Sequence, residues 1–284
     1  MRDGRSFGVA EFGPPSAEQT VLWFHGTPGA RRQIPEPARR YAFDNGIRVI
    51  GMDRPGVGMS TPHRYHRLAE YTDDLAVALE HLEVDRFCVV ALSGGAPYAL
   101  AAAHDFGTER VPTLGILGGV VPSGGEDGIS GGLVGFGVKW KRFLPVMSEP
   151  AGALLTYFVR AAKPVGSFAL DTYARFSPPG DKLVLGTPEH KEMFIDDLSE
   201  NGGHSMRAVV YDAILFTRHW GFSVRDVTAR VTWWQGDEDN IVPIAHAEHI
   251  VPLFPNAELR IMKGGGHLSA LGIGVEVMET VLKW

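Results

Sequence analysis

The 284-residue chain carries 27 Lys and Arg against 33 Asp and Glu, a net charge of −6, with no basic run that would mark a nucleic-acid partner. Its one cysteine, Cys88, excludes an intramolecular disulfide and fits a reducing cytoplasm. The length suggests one or two domains, and the longest apolar stretches, Val111–Pro122 and Ile129–Val138, are too short to span a bilayer.

The N-terminal "MRDGRSFGVAEFGPP" lacks the apolar core of a secretion signal. Short apolar runs then follow: "TVLWF" (Thr20–Phe24), "RVIGMD" (Arg48–Asp53), "FCVVAL" (Phe87–Leu92) and "TLGILGGVV" (Thr113–Val121). Two more, "VTWWQG" (Val231–Gly236) and "ELRIM" (Glu258–Met262), come late in the chain. These runs are near-continuous rather than alternating, which marks strands covered on both faces of a parallel sheet. Helical patterns over Tyr71–Leu82, Gly95–Phe106 and Ala245–Phe254 separate them. Strand and helix in alternation predict an α/β fold with a mostly parallel sheet flanked by helices. Cys88, inside an apolar run, reads as a small buried hydrophobe.

The alternation breaks after Pro122. Between Ser123 and about Ala229 the segments "VKWKRFL", "ALLTYFVRAA", "HKEMFIDDL" and "MRAVVYDAILFTRHW" look helical. A connection of that length is too long for a loop. Residues 123–204 are therefore expected to form a helical cap or lid, and 1–122 with 205–284 the core domain. The last helix, near Ser205–Trp220, is expected to join the sheet layer. The aromatics Trp140, Phe143, Tyr157, Phe158 and Phe168 are expected mostly as core of the cap, a few lining an apolar pocket.

Within "CVVALSGGAPYALA" (Cys88–Ala101) a strand runs into Ser93 and a helix starts at once. Gly94 and Gly95 permit the tight turn, and Pro97 falls in the first helical turn, where it does no harm. The serine is expected at the positive end of a helix, with the backbone N–H of Gly94 available to an oxyanion. This is a strand–nucleophile–helix elbow. Its usual pattern is G-x-S-x-G; here Ala91 replaces the first glycine, so a plain strand–helix turn is about as good a reading of that string alone.

Three other turns follow strand ends, where open α/β sheets build their sites. They are "WFHGTPG" (Trp23–Gly29), "QGDEDNIVP" (Gln235–Pro243) and "KGGGHLS" (Lys263–Ser269). The second offers Asp237, Glu238 and Asp239; the third presents His267. The order serine, acid, histidine is that of α/β-hydrolases. With "GMDRPGVGMS" (Gly51–Ser60) as a further landmark, nearly the whole chain resembles the α/β-hydrolase family. "DGRSFGVAEFG" resembles the second strand of that family's opening hairpin.

The resemblance implies an α/β-hydrolase fold with a helical cap inserted after the sixth strand. It implies a serine hydrolase with Ser93 as nucleophile, His267 as base and Asp239 as orienting acid, since in the family the acid stands three residues after such a glycine and before a "VP" pair. It also implies an oxyanion hole of the Thr27 and Gly94 backbone N–H groups. Asp237 is then expected to fix the turn through its own backbone, His25 to be structural, and Asp53, beside Arg54, to join a loop-fixing ion pair. The expected reaction is cleavage of a small carboxylic ester through an acyl-enzyme. "HGTPG" also resembles the "HGGPG" of proline iminopeptidases, with Glu126, Asp127 or Glu149 as candidates to hold an amine. A carbon–carbon bond hydrolase and a non-catalytic ligand-binding protein on the same fold are the other readings. Serine at the elbow speaks against dehalogenases and epoxide hydrolases, which use aspartate there. The partner is expected to be a small ester or amide. His63/His66 and His246/His249 have H-x-x-H spacing with no third ligand apparent and read as surface histidines, so no metal is expected. No glycine pattern completes a nucleotide loop, so no cofactor is expected.

Overall fold

A computed structural model describes residues 3–129, 144–162, 166–204 and 206–283. Trp140 and Phe143 lie outside these. The described strands are β1 (Val9–Phe12), β2 (Gln19–Phe24), β3 (Ile47–Met52), β4 (Cys88–Leu92), β5 (Thr113–Leu117), β6 (Arg230–Gly236) and β7 (Ala257–Met262). They form one sheet in the order β1-β3-β2-β4-β5-β6-β7. β1 pairs antiparallel with β3; every other pairing is parallel.

The continuous apolar runs are explained by two cores, one on each face of this sheet. Leu22, Phe24, Ile50, Val89, Ala91, Ile116, Val231 and Trp233 enter one. Their neighbours Val21, Trp23, Val49, Cys88, Val90, Leu92, Leu117 and Trp234 enter the other. Side chains alternate across a strand, so a sheet covered on both sides needs apolar residues at every position. The first core is closed by α2 (Tyr71–His81), α3 (Ala96–Arg110) and α9 (Ile244–Ile250). The second is closed by α1 (Glu36–Asp44) and α10 (Gly274–Val281). Ala96–Ala103 of α3 are all buried, in keeping with a helix made of small and apolar residues on every side.

Between β5 and β6 lie α4 (Leu144–Ala162), α5 (Gly166–Phe176), α6 (Pro179–Gly186), α7 (Pro188–His204) and α8 (Arg207–Phe216). Their insertion thus follows the fifth described strand rather than the sixth. Among the described residues a single strand, β1, stands before β2. The last helix is shorter than the expected Ser205–Trp220, and its Leu215 and Phe216 pack into the first core. Tyr157, Phe158 and Phe168 are largely exposed, which overturns their reading as core of these helices. Among the described residues no helix is long and apolar enough to cross a membrane.

Strand registers bring the C-terminal ends of β2, β4, β5, β6 and β7 into one row. Phe24 pairs with Ala91, Leu92 with Leu117, Leu117 with Trp234 and Gly236 with Met262. The turns that leave this row carry His25–Thr27, Ser93, Gly118, Asp239 and His267. β5 ends sooner than its apolar run predicts because Gly118 takes φ +54°, a left-handed backbone that turns the chain off the sheet.

Candidate active site

Ser93 follows β4 directly, and residues 93–95 make one tight helical turn before α3. Its φ of +50° is left-handed, unusual for a residue with a side chain and typical of strain kept at a functional position. Val120 N–H, just past β5, donates to the Ser93 carbonyl at 3.1 Å and helps to hold this conformation. Gly95 cannot carry a side chain, because a Cβ there would lie 2.5 Å from the Phe24 carbonyl oxygen. The elbow therefore packs on the backbone that leads into the His25 turn.

His267 joins the ends of two strands. Its Nε2 lies 2.8 Å from Ser93 Oγ and its Nδ1 2.8 Å from Asp239 Oδ2. All three residues are buried. Asp239 is held on every side: Ile241 N and Val242 N donate to its Oδ1 at 2.8 and 2.9 Å, and Gln235 Nε2 donates to its Oδ2 at 2.9 Å. Hydrogen bonds to a carboxylate fix its orientation. Of the three neighbouring acids only Asp239 reaches the imidazole. Glu238 is exposed. Asp237 does not bond its own backbone as expected; its Oδ1 accepts from Gly264 N at 2.7 Å and so ties the acid turn to the histidine turn. Gly118 gives this pair room, since a Cβ at 118 would stand 3.3 Å from His267 Nδ1 and 3.5 Å from Asp239 Oδ2.

Thr27 stands against the elbow. A Cβ on Gly94 would collide with Thr27 Oγ1 and Cβ. The two expected oxyanion residues are thus neighbours in space. Thr27 Oγ1 donates to Asp212 Oδ2 at 2.8 Å and accepts from Arg54 Nη2 at 2.6 Å. Arg54 also donates to the carbonyls of His25 and Gly26 at 2.5 and 2.9 Å, and to Asp212 through Nε and Nη2 at 3.2 and 2.9 Å. Tyr98 O–H donates to Asp212 Oδ1 at 2.7 Å, and the guanidinium lies 5.0 Å from the Tyr98 ring centroid. Burial, then the Asp212 charge, push the Tyr98 hydroxyl well above its ordinary range, so it remains a donor. Both charges are buried and each is met by the other and by further hydrogen bonds, the condition under which such a pair is tolerated. A cleft lined by Pro55, His63, Tyr98, Tyr211, Asp212 and Leu215 opens beside this cluster.

His25 is structural in placement. Its Nδ1 lies 2.8 Å from the Gly26 carbonyl and its Nε2 accepts from Arg54 N at 3.3 Å, the pattern of a neutral ring. Burial, then the charge of Arg54, hold it well below the usual histidine range. Asp53 pairs with Arg31 at 2.8 Å rather than with adjacent Arg54. Of the H-x-x-H pairs, His63 and His66 are exposed as expected, but His246 is buried on the inner face of α9 and burial lowers its pKa. The acids considered for an amine are otherwise engaged or exposed. Asp127 Oδ2 accepts from Ser223 Oγ and Val224 N at 2.8 and 2.9 Å, Glu149 pairs with Arg64 and Arg207, and Glu126 is exposed.

Two more buried aspartates, Asp181 and Asp197, carry no local signal in the sequence. Asp197 of α7 accepts from Ala30 N at 2.7 Å and Gln33 Nε2 at 2.9 Å, while Gln33 Oε1 accepts from Gly26 N at 2.6 Å. Burial pushes the Asp197 carboxyl well above its ordinary range. Asp181 of α6 accepts from Leu268 N at 3.0 Å and Ser269 Oγ at 2.6 Å, beside His267. Only Asp212 left a trace in the sequence, as the single charge within "AVVYDAILF" (Ala208–Phe216).

Residues 19–127 match a family model described as alpha/beta hydrolase fold. Among solved structures, an esterase from Exiguobacterium antarcticum shares 19% identity, with 99% of this chain and 95% of that chain covered at a TM-score of 0.69. A hydrolase from Pseudomonas aeruginosa PA01 shares 17% identity over 100% and 97% at a TM-score of 0.70. A bromoperoxidase from Bacillus anthracis shares 20% over 98% and 95% at 0.69. At these identities the likeness is one of fold. With a mostly parallel seven-stranded sheet and a family match that begins at β2 and runs past β5, the chain has the alpha/beta hydrolase fold.

Proposed function

We propose that the chain is a serine hydrolase that cleaves a small carboxylic ester through an acyl-enzyme. The observation that carries this reading is the imidazole of His267, hydrogen-bonded at 2.8 Å to Ser93 Oγ on one side and to Asp239 on the other. In the first step His267 Nε2 takes the Ser93 proton as Oγ forms a bond to the carbonyl carbon. The carbonyl oxygen becomes an oxyanion, and the backbone N–H groups of Gly94 and Thr27 are the donors assigned to it. The C–O bond to the alcohol then breaks and His267 returns the proton to the leaving oxygen. Water repeats the sequence on the acyl-enzyme, releasing the acid and Ser93. Asp239 fixes the imidazole with its Nδ1 protonated and stabilises the imidazolium.

In this reading residues 123–204 form a cap over the core of 1–122 and 205–284, and its helices shape the acyl pocket. The single cysteine is in keeping with a cytoplasmic location. Esterases among the fold relatives support the reaction class; a bromoperoxidase beside them is a reminder that fold alone does not set chemistry. The test is labelling with a fluorophosphonate probe, together with turnover of p-nitrophenyl esters of increasing chain length. Wild type is expected to label and turn over; Ser93→Ala is expected to lose both, with kcat down by about 10⁴–10⁶. Labelling that survives Ser93→Ala sinks the assignment.

A further inference from the structure

His267 sits on a glycine-rich turn, and glycines give a backbone freedom rather than a fixed place. Something outside the turn must hold the ring between Ser93 and Asp239. The residues on either side of His267 both bond to one pair of side chains. Gly266 N donates to Ser269 Oγ at 2.8 Å, Ser269 Oγ donates to Asp181 Oδ1 at 2.6 Å, and Leu268 N donates to the same Oδ1 at 3.0 Å. A second tie runs alongside: Gly180 N donates to the Gly264 carbonyl at 2.9 Å. Asp181 and Gly180 both belong to the first turn of α6. The helix meets the turn so closely that a Cβ on Gly266 would lie 2.5 Å from Asp181 Oδ2, and one on Gly180 would lie 2.5 Å from Ser269 Oγ.

We propose that Asp181 is a positioning residue for catalysis: from α6 it clamps the backbone on both sides of His267 and so sets the imidazole between Ser93 and Asp239. The proposal rests on the serine-hydrolase reading for its effect on rate. Asp181 is fully buried, and its Oδ2 has no hydrogen-bond partner. Burying a carboxylate with one oxygen unsatisfied is costly, so the position is poorly explained as a helix cap, which an exposed side chain would serve as well. Without Asp181 the Leu268 N–H loses its acceptor, Ser269 O–H is free to turn, and the glycines let His267 drift.

The experiment compares wild type with Asp181→Ala, Asp181→Asn and Ser269→Ala, each checked for folding by circular dichroism. Two quantities are read: kcat and KM on a p-nitrophenyl ester, and the low-field proton NMR signal of the His267 Nδ1–H shared with Asp239. Asp181→Ala is expected to lower kcat by about 10²-fold, the scale of a 1 Å misplacement, with KM little changed and the low-field signal lost or broadened. Asp181→Asn keeps an acceptor oxygen for Leu268 N and Ser269 and is expected to restore both. Should Asp181→Ala not fold, Ser269→Ala carries the test, with the same direction and a smaller loss. Wild-type kcat with an unchanged low-field signal in the folded variant overturns the clamp. Wild type that shows the signal yet neither labels nor turns over any ester overturns the hydrolase reading instead, and loss of the signal in Asp181→Ala still supports the clamp.

Discussion

Arg54 and Asp212, 158 residues apart in the chain, meet at 2.9 Å with Thr27 Oγ1 bonded to both. One comes from the turn after β3, the other from α8. Removing one partner leaves the other charge buried, which typically costs about 3–5 kcal/mol. Asp212→Ala and Arg54→Met are each expected to lower stability by that order in urea unfolding. The double variant is expected to be less damaged than the sum of the two. Additive losses would show that the two side chains act independently.

The acid turn gives a ranking. Asp239→Asn puts an amide where the imidazole needs a carboxylate, and kcat is expected to fall by about 10⁴ while the protein stays folded. Asp237→Asn retains an acceptor for Gly264 N and is expected to lose much less. Steady-state rates on one ester decide it; the reverse order would transfer the role to Asp237.

Gly94→Ala tests the oxyanion side. The new methyl would collide with Thr27, so elbow and turn must move apart. Loss of one well-placed donor costs on the order of 10²–10³ in kcat, and a loss of that size is expected, with the melting temperature lowered by the forced movement. Full activity in this variant would mean that the Gly94 and Thr27 N–H groups do not act together.

Much of this site was legible because it lies in turns that leave strand ends, where short-range spacing carries the information. Ser93 is followed by two glycines whose absence of side chains is needed for contact, and Asp239 is separated from Gly236 by the length of one turn. The fold was legible for the same reason: near-continuous apolar runs through β2–β5 record a sheet buried on both faces. What could not be read is long-range and polar. Asp181 and Asp197 sit among other charges in "GDK" and "IDDL", so nothing local separates a buried carboxylate from a solvated one. Gln33 and His246 became informative only when the chain brought a partner or a covering helix to them. The exposed Tyr157, Phe158 and Phe168 mislead in the opposite direction, since hydrophobicity alone does not say that a neighbour is present to cover them.

Asp197 links the site to pH. Its pKa is raised in the fold, chiefly by burial, with the charges of Asp53 and Asp196 adding to this and the Ala30 N–H bond and Arg54 opposing it. A group raised on folding binds more protons folded than unfolded, so its contribution is full below the ordinary aspartate range and declines as pH rises toward the raised value. The slope is at most about 1.4 kcal/mol per pH unit. Urea unfolding at several pH values is expected to show the stability gap between wild type and Asp197→Ala shrinking as pH rises. A gap that widens with pH would mean the carboxylate is stabilised by its partners.

The segment between β5 and β6 sends one aspartate from each of α6, α7 and α8 to the turns of the sheet edge: Asp181 to the turn after β7, Asp197 and Asp212 to the turn after β2, with Asp212 also meeting Arg54 after β3. Such a segment cannot be exchanged as a block. A chimera that took these helices from a donor without acids at the places of Asp181, Asp197 and Asp212 would keep Ser93, Asp239 and His267 in its sequence but lose the anchors of the turns around them. A working transplant must carry all three acids, or redesign Ser269, Gln33 and Thr27 to do without them. Under the proposed reading, the stretches of helix between those anchor points are where substitutions can vary the acyl pocket without unfastening the turns.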